Sequence, residues 1–387
     1  MNDLPEPITT GRPGRGRWRT RLGLGLGGLA IGLLMAEVIL WSSDLPQFPQ
    51  PHSFPPQFML VGRPDQQGWV HHVNKPSETI RFVYDGNPRG YFGPDNEVDH
   101  VTNSLGFRGD EFPLREKADG SIEAVSEKPA ETVRVVFLGD SVTFGEGVKQ
   151  KDTFVEQAAA RLRETWKPEG RRLEVYNLGV GGHNTGDAAW TWQRYGHQLE
   201  PDVIVLGFVL NDAEPGLFRV DPVSGGPTRV PRKIEAVRSR LTGPPIGTLY
   251  HSRLARLFWQ YRSSEELTNA TLAHYRRSLD PAGRGWQSCL ESITALRATG
   301  PPLVVVIFPL MYRLQDHPFQ DVHRRLVAVC DPAHVVDLAG AFGKHGDERQ
   351  LWVHPADPHP NESAHAIAGR RIATSLAGIL SPASPGK

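Results

Sequence analysis

Apolar positions fall into three regimes along the chain. Leu22 to Trp41 is apolar almost throughout and is broken only by Glu37; from about Val61 to Phe112 apolar and polar residues alternate in short patches; from Val133 onward, short apolar runs are separated by helical patterns. The last regime predicts buried strands at Val133–Leu138, Leu173–Asn177, Val203–Leu210, Leu303–Pro309 and His334–Leu338. Thr153-Phe154-Val155-Glu156 reads as a capping box opening a helix to about Thr165, and Asn361 reads as the N-cap of a helix over Glu362–Ala377. Strand–helix alternation of this kind predicts an α/β fold: a flavodoxin-like, doubly wound, parallel five-stranded sheet in the order 2-1-3-4-5.

The middle regime, with Thr79-Ile80-Arg81-Phe82-Val83-Tyr84 followed by the turn signal Asp85-Gly86-Asn87-Pro88, predicts a small β-rich lead-in packed on the main domain. Arg115–Glu131 is polar and reads as a surface loop. The expected organisation is a basic tail over 1–21, a membrane helix over 22–41, a Pro-rich spacer over 42–60, the lead-in and its loop over 61–130, the main domain over 131–380 and a tail over 381–387. A helical insertion occupies 213–285. Within it, Gly247–Ser263 sets Leu249, Leu254, Leu257, Phe258 and Tyr261 at helical spacing, with Arg253, Arg256 and Arg262 between them. Such a helix either covers the sheet with its arginines in water, the expectation adopted, or forms a basic amphipathic lid on membrane or an anionic substrate.

The first regime changes the picture of location. Arg12, Arg15, Arg17, Arg19 and Arg21 precede the apolar run, whose 20 residues make a helix of roughly 30 Å, the thickness of a bilayer core. The arginines place the amino end in the cytoplasm and everything after Trp41 outside it. A cleaved secretory signal begins with the same asymmetry, but the region of Ser42 and Ser43 lacks a small-x-small cleavage site, so a retained signal-anchor is expected. Gly23/Gly27 and Gly28/Gly32 carry the small-xxx-small spacing that lets membrane helices pair, a weak pointer to a homodimer.

Composition mainly excludes. The 43 basic and 43 acidic residues cancel, so no global field points to nucleic acid. Two cysteines, Cys289 and Cys330, make neither a disulfide scaffold nor a zinc site. Outside the cytoplasm they either pair or sit apart as small buried hydrophobes.

Candidate chemistry collects where the strands end. Gly139-Asp140-Ser141 turns from the first strand toward the first helix, exposing the Ser141 hydroxyl at the sheet edge with an amide N–H where anionic charge is bound. Gly181-Gly182-His183-Asn184-Thr185 follows the second strand, where glycine lets a backbone N–H approach closely. Asn211-Asp212 follows the third. Each patch alone is an ordinary turn. The G-x-S-x-G elbow, G-x-G-x-x-G and Gly-Lys-Ser/Thr are all missing from these turns. In Asp357-Pro358-His359-Pro360 the prolines impose extended backbone, so the side chains of Asp357 and His359 point the same way, and the carboxylate can hold the imidazole toward Ser141. His354, Asp357, His359 and His365 form a metal-ligand alternative without a second cluster to complete it.

Jointly these patches resemble the SGNH (GDSL-type) hydrolase family over about Val133–Leu380. The resemblance implies a nucleophile at Ser141, a base at His359 oriented by Asp357, and an oxyanion hole from the N–H groups of Ser141 and Gly182 and the amide of Asn211, with no metal or organic cofactor. One departure is that the family usually separates the Asp and His by two residues, whereas here only Pro358 intervenes. Thr102-Asn103-Ser104-Leu105-Gly106-Phe107-Arg108-Gly109 also resembles a segment preceding this domain in membrane-anchored bacterial relatives. The expected function is a membrane-tethered, extracytoplasmic serine esterase acting on small-molecule, lipid or glycan acyl esters. Its rivals are an O-acyltransferase or acetylesterase acting on surface polysaccharide, and an inactive binding or scaffold protein on the same fold.

Overall fold

The computed structural model describes residues 15–43, 58–84, 86–166, 170–231, 251–355 and 357–381. Residues 44–57 of the expected spacer, the start of the basic tail with Arg12, and residues 247–250 of the expected insertion helix lie outside them. The chain divides into two units, residues 1–47 with 238–266, and residues 48–237 with 267–387.

In the first unit, helix α1 (Arg15–Ser42) starts inside the expected basic tail. Arginine is a good helix former, so the basic flank simply continues the apolar helix. Its stretch Trp18–Ser42 is long and apolar enough to cross a membrane. Glu37 has a specific partner. Its carboxylate accepts from the Ser252 hydroxyl at 3.0 Å, from Leu254 N–H at 2.9 Å and from Arg253 N–H, capping the helix Arg253–Ser278. The Arg253 guanidinium lies 5.0 Å from the Trp41 ring. The expectation that this helix buries its apolar stripe is corrected for its first turns, because Leu257, Phe258 and Tyr261 are exposed. The helix begins where the Ser252 hydroxyl accepts from Ala255 N–H at 3.1 Å and Glu37 takes the N–H groups of Arg253 and Leu254, not where that stripe is buried.

The second unit starts with strands in the lead-in. β1 (Phe58–Val61) opens within the expected spacer and pairs antiparallel with β2 (Trp69–Asn74). β3 (Thr79–Val83) and β4 (Glu97–Val101) form a hairpin that alternates buried and exposed residues, as a one-sided sheet requires. The expected polar loop at Arg115–Glu131 instead contains a second hairpin, β5 (Leu114–Glu116) with β6 (Ile122–Ala124). Leu114 and Ile122 are buried there, and Arg115 pairs with Glu123 across the strands. Two apolar anchors suffice for so short a hairpin, and its polar remainder hid them.

β7 (Thr132–Gly139) leads into the short helix α2 (Ser141–Phe144) and then α3 (Phe154–Thr165), whose N-cap Thr153 accepts from Glu156 N–H. β8 (Arg172–Gly179), α4 (Thr185–Arg194) and β9 (Val203–Phe208) follow. β9 stops at Phe208, short of the expected Leu210, because the Asp212 carboxylate accepts from Val209 N–H at 2.6 Å and curls Leu210–Ala213 into a 3-10 turn. The expected helical insertion begins as strands. β10 (Phe218–Val220) pairs with both β2 and β11 (Pro227–Arg229), joining the lead-in sheet. β12 (Leu303–Ile307) and β13 (Val335–Asp337) complete a parallel sheet in the order β8-β7-β9-β12-β13. The order reverses at β7, so the loops leaving β7, β8 and β9 share the edge where ligands bind in such sheets. Cys289 and Cys330 are both free and buried in the same core cluster.

The segment Thr102–Gly109 joins the lead-in to the sheet. The Asn103 side chain accepts from Leu105 and Phe107 N–H, both at 3.0 Å, and so shapes the turn before Arg108. Arg108 is fully buried and donates to the carbonyls of Phe144 (2.8 Å), Gly145 and Val148 (both 2.5 Å). Burial pulls its pKa down to about 9, and the three carbonyls supply the hydrogen bonds that a charge removed from water must have. Arg108→Met keeps much of the volume and deletes every donor. It is expected to lower unfolding free energy by about 3 kcal/mol in a denaturant titration, since buried carbonyls are left unmatched.

Candidate active site

Ser141 is the first residue of α2, directly after the N-cap Asp140, whose Oδ1 accepts from Val142 N–H at 2.9 Å. The Ser141 hydroxyl lies 2.9 Å from Nε2 of His359. On the opposite side of that ring, Nδ1 lies 2.5 Å from Oδ1 of Asp357. Asp357 and His359 belong to β15 (Asp357–Pro360), which pairs with β14 (Trp352–His354). Extended backbone turns both side chains the same way, so one intervening residue is enough for contact. Asn361 holds the end of this strand. Its carbonyl oxygen caps the helix Glu362–Leu380 through Ser363 and Ala364 N–H, while its amide donates to Gln350 and Trp352 carbonyls.

The other expected residues lie on neighbouring loops. β7 and β8 run in register from Thr132↔Arg172 to Gly139↔Gly179, so the Ser141 and Gly182 loops leave adjacent strands at one level. Val180 N–H donates to Gly139 O at 3.1 Å, tying them together. Gly182 has φ +81°, and a Cβ there would meet Leu217 at 2.9 Å, so no other residue fits without strain. Asn211 sits in the 3-10 turn, beyond the end of β9 where it was expected, and its amide donates to Asp140 Oδ2 at 3.1 Å. Asp140 thus links the Ser141 and Asn211 segments.

Of the residues weighed as a metal-ligand alternative, His365 accepts from Phe154 N–H at 2.8 Å through Nδ1 and stacks on the Phe154 ring. Among the described residues, no group of three or more His, Cys, Asp or Glu side chains could hold a metal ion.

Three residues that sequence reasoning did not select also meet this site. The buried Tyr84 hydroxyl, at the end of β3, donates to Asp357 Oδ2 at 3.2 Å. Glu146 follows α2 and reaches toward Gly181, where an added Cβ would lie 3.7 Å from its Oε2. Removal from water pushes its carboxyl up to about 7, with Asp357 and Asp140 adding to that shift and His359 opposing it. For His359, removal from water disfavours the imidazolium, but Asp357, Glu146 and Asp140 outweigh this and lift its pKa to about 10. The third is His72 of β2, which reaches the Gly181 carbonyl. The only available signal for these was the β-rich pattern of the lead-in and the acidic residue after Gly145.

A family model for the GDSL-like lipase/acylhydrolases matches residues 137–367, more than half of the chain. The chain belongs to the GDSL-like lipase/acylhydrolase family. It is a family of ester-hydrolysing enzymes. No curated protein matches. Similar solved structures include a two-domain esterase active on acetylated mannans, with 15% identity and a TM-score of 0.35, covering 66% of this chain and 52% of the other. The family member therefore spans about half the length of that esterase. An acetylxylan esterase from Geobacillus stearothermophilus has 15% identity and a TM-score of 0.36, with coverage of 63% and 94%. A lipase/acylhydrolase from Enterococcus faecalis has 16% identity and a TM-score of 0.34, with coverage of 65% and 99%.

Gly147 offers a local test of how the site is built. It has φ +76°, and a Cβ there would lie 2.5 Å from both the Tyr84 hydroxyl and Val353 Cγ1. Gly147→Ala is expected to cost about 2–3 kcal/mol of stability and to displace Tyr84 from Asp357, seen as a lower unfolding midpoint together with reduced ester turnover.

Proposed function

We propose that this protein is a membrane-tethered, extracytoplasmic serine hydrolase that cleaves carboxylic acyl esters through a covalent acyl-enzyme. The observation that carries this reading is the unbroken hydrogen-bonded line from the Ser141 hydroxyl through the His359 ring to the Asp357 carboxylate. Ser141 Oγ attacks the ester carbonyl carbon as its proton passes to His359 Nε2. Asp357 holds the ring in the tautomer that leaves Nε2 free to accept, and stabilises the imidazolium that forms. The oxyanion is met by the N–H groups of Ser141 and Gly182 and by the Asn211 amide. Collapse breaks the carbon–oxygen bond to the alcohol, which leaves with the proton from His359. Water then gives a proton to His359, attacks the acyl-Ser141 carbonyl and releases the carboxylic acid, restoring the serine hydroxyl.

Tethering is supported by α1, whose stretch Trp18–Ser42 is long and apolar enough to cross a membrane and mostly exposed, with arginines at the amino end. The Glu37 cap and the Arg253–Trp41 contact join the first turns of the helix Arg253–Ser278 to the carboxyl end of that span. The exposed stripe of Leu257, Phe258 and Tyr261, flanked by Arg256 and Arg262, has the amphipathic form of a helix lying at a lipid–water boundary.

A fluorophosphonate probe is expected to label the wild type and to leave Ser141→Ala unlabelled; labelling of the alanine variant would remove Ser141 from its role. Asp357→Asn should lower kcat on the order of 10⁴-fold through loss of the correct tautomer.

The carboxylates set the pH dependence. Below the raised pKa of His359 the ring is protonated and cannot accept the serine proton, so kcat/KM should climb with pH through an acid limb above 6.5. Glu146→Gln removes a negative charge that favours the imidazolium, so that limb should move toward lower pH. A limb that stays in place or moves upward would contradict this electrostatic account.

The full chain should stay with the membrane pellet after an alkaline wash and require detergent for release. Recovery in the supernatant would rule out a spanning anchor.

A further inference from the structure

The lead-in strand β2 carries two adjacent histidines, His71 and His72, in a region that precedes the family match. His72 is fully buried, and its Nε2 lies 3.0 Å from the carbonyl oxygen of Gly181. A carbonyl can only accept, so the proton in this bond sits on Nε2 of a neutral ring. The other nitrogen, Nδ1, is buried without a hydrogen-bond partner, and burial drives the ring pKa down to about 3, both consistent with a ring that stays neutral. Its orientation is set by its neighbours. The rings of Phe58, His183 and Phe218 meet it edge-on at 4.7, 4.7 and 5.1 Å. Contact also runs in the opposite direction, because Nε2 of His183 donates to the backbone carbonyl of His72 at 2.8 Å. His71 adds a third tie through Nδ1 to Asp187 of α4 at 2.8 Å. Strand β2 is therefore clamped to the loop after β8 from both sides of Gly182.

The atom that His72 holds matters because of peptide geometry. In a planar trans peptide, the carbonyl of residue 181 and the N–H of residue 182 point in opposite directions. Two successive glycines leave the peptide between them unusually free to rotate, since neither carries a Cβ to bar the alternative orientation. A half-turn would replace the N–H of Gly182 with a carbonyl oxygen on the face turned away from His72, and would repel developing negative charge there. We propose that His72 is a positioning residue. By fixing the Gly181 carbonyl, it locks the Gly181–Gly182 peptide with its N–H presented to the oxyanion. This rests on the reading of Gly182 as an oxyanion donor and assigns part of the esterase machinery to a strand outside the hydrolase sheet.

The test uses the full-length protein in detergent with a chromogenic acyl ester. His72→Phe keeps an aromatic ring and loses the donor, whereas His72→Gln keeps an N–H donor of similar reach. A donor that acts only on the transition state changes kcat and spares ground-state binding. His72→Phe is expected to lower kcat roughly 10- to 100-fold, less than outright removal of an oxyanion donor, with KM within about twofold of wild type. His72→Gln is expected to recover most of that loss. Affinity for a boronic acid, which forms a tetrahedral adduct with the serine, should fall in parallel with kcat, while affinity for the product carboxylate stays level.

Should the Phe variant melt early, His72→Met, slimmer and also without a donor, takes its place. Wild-type kcat in the donor-free variants would overturn the proposal. So would equal losses in the Gln and Phe variants accompanied by lowered melting temperatures, which would mark His72 as structural only. Undiminished turnover in Ser141→Ala, by contrast, would strike the serine mechanism itself and not the clamp.

Discussion

A buried guanidinium decides the shape of the loop that follows the candidate nucleophile. Arg108 has left water entirely, and the carbonyls of Phe144, Gly145 and Val148 are its replacement for solvent. The Phe144 carbonyl closes a four-residue helix and those of Gly145 and Val148 follow it; Gly145 also accepts from Val148 N–H at 3.2 Å. Each side of the arrangement is costly without the other. The lead-in and the α/β sheet are therefore joined by mutual necessity at the point where Ser141 is presented, and Tyr84 repeats the arrangement at Asp357.

The electrostatics follow from that packing. Asp140, Glu146 and Asp357 all bear on one imidazole, and the balance is against its neutral form. Asp140 is also bound to the Asn211 amide, so one carboxylate connects two of the loops that leave the sheet. Glu146 differs from the other two because removal from water has brought its own ionisation near neutrality. The charge surrounding His359 therefore varies around neutral pH, and the apparent ionisations belong to the cluster as a whole.

Local signals made most of the sheet legible. Short, mostly apolar runs marked the five strands, Thr153 and Asn361 announced their helices as caps, and the two prolines around His359 imposed the extended geometry that brings it to Asp357. Failures came where the deciding partner is remote. Tyr84 and Asp357 are 273 positions apart, and His72 and Gly181 are 109 apart, so periodicity carries no trace of either contact. The hairpin Leu114–Ala124 was hidden for a different reason, since only two of its residues face inward strongly enough to register. Leu210 was assigned to a strand because apolar character does not distinguish a strand's last residues from a tight turn closed by Asp212.

Glu37 has a practical implication for handling the protein. A routine step with a chain that opens on an apolar helix is to delete that helix and express the remainder. Here that deletion would strip the acceptor from the Ser252 hydroxyl and from the N–H groups of Arg253 and Leu254. The shortened protein would begin the helix Arg253–Ser278 with only the Ser252 cap on Ala255 N–H and with a row of Leu257, Phe258 and Tyr261 facing water, a surface prone to self-association. A well-behaved shortened form would have to lose or recap the start of the helix Arg253–Ser278 as well, so the apolar helix and the segment near residue 253 are best treated as one part.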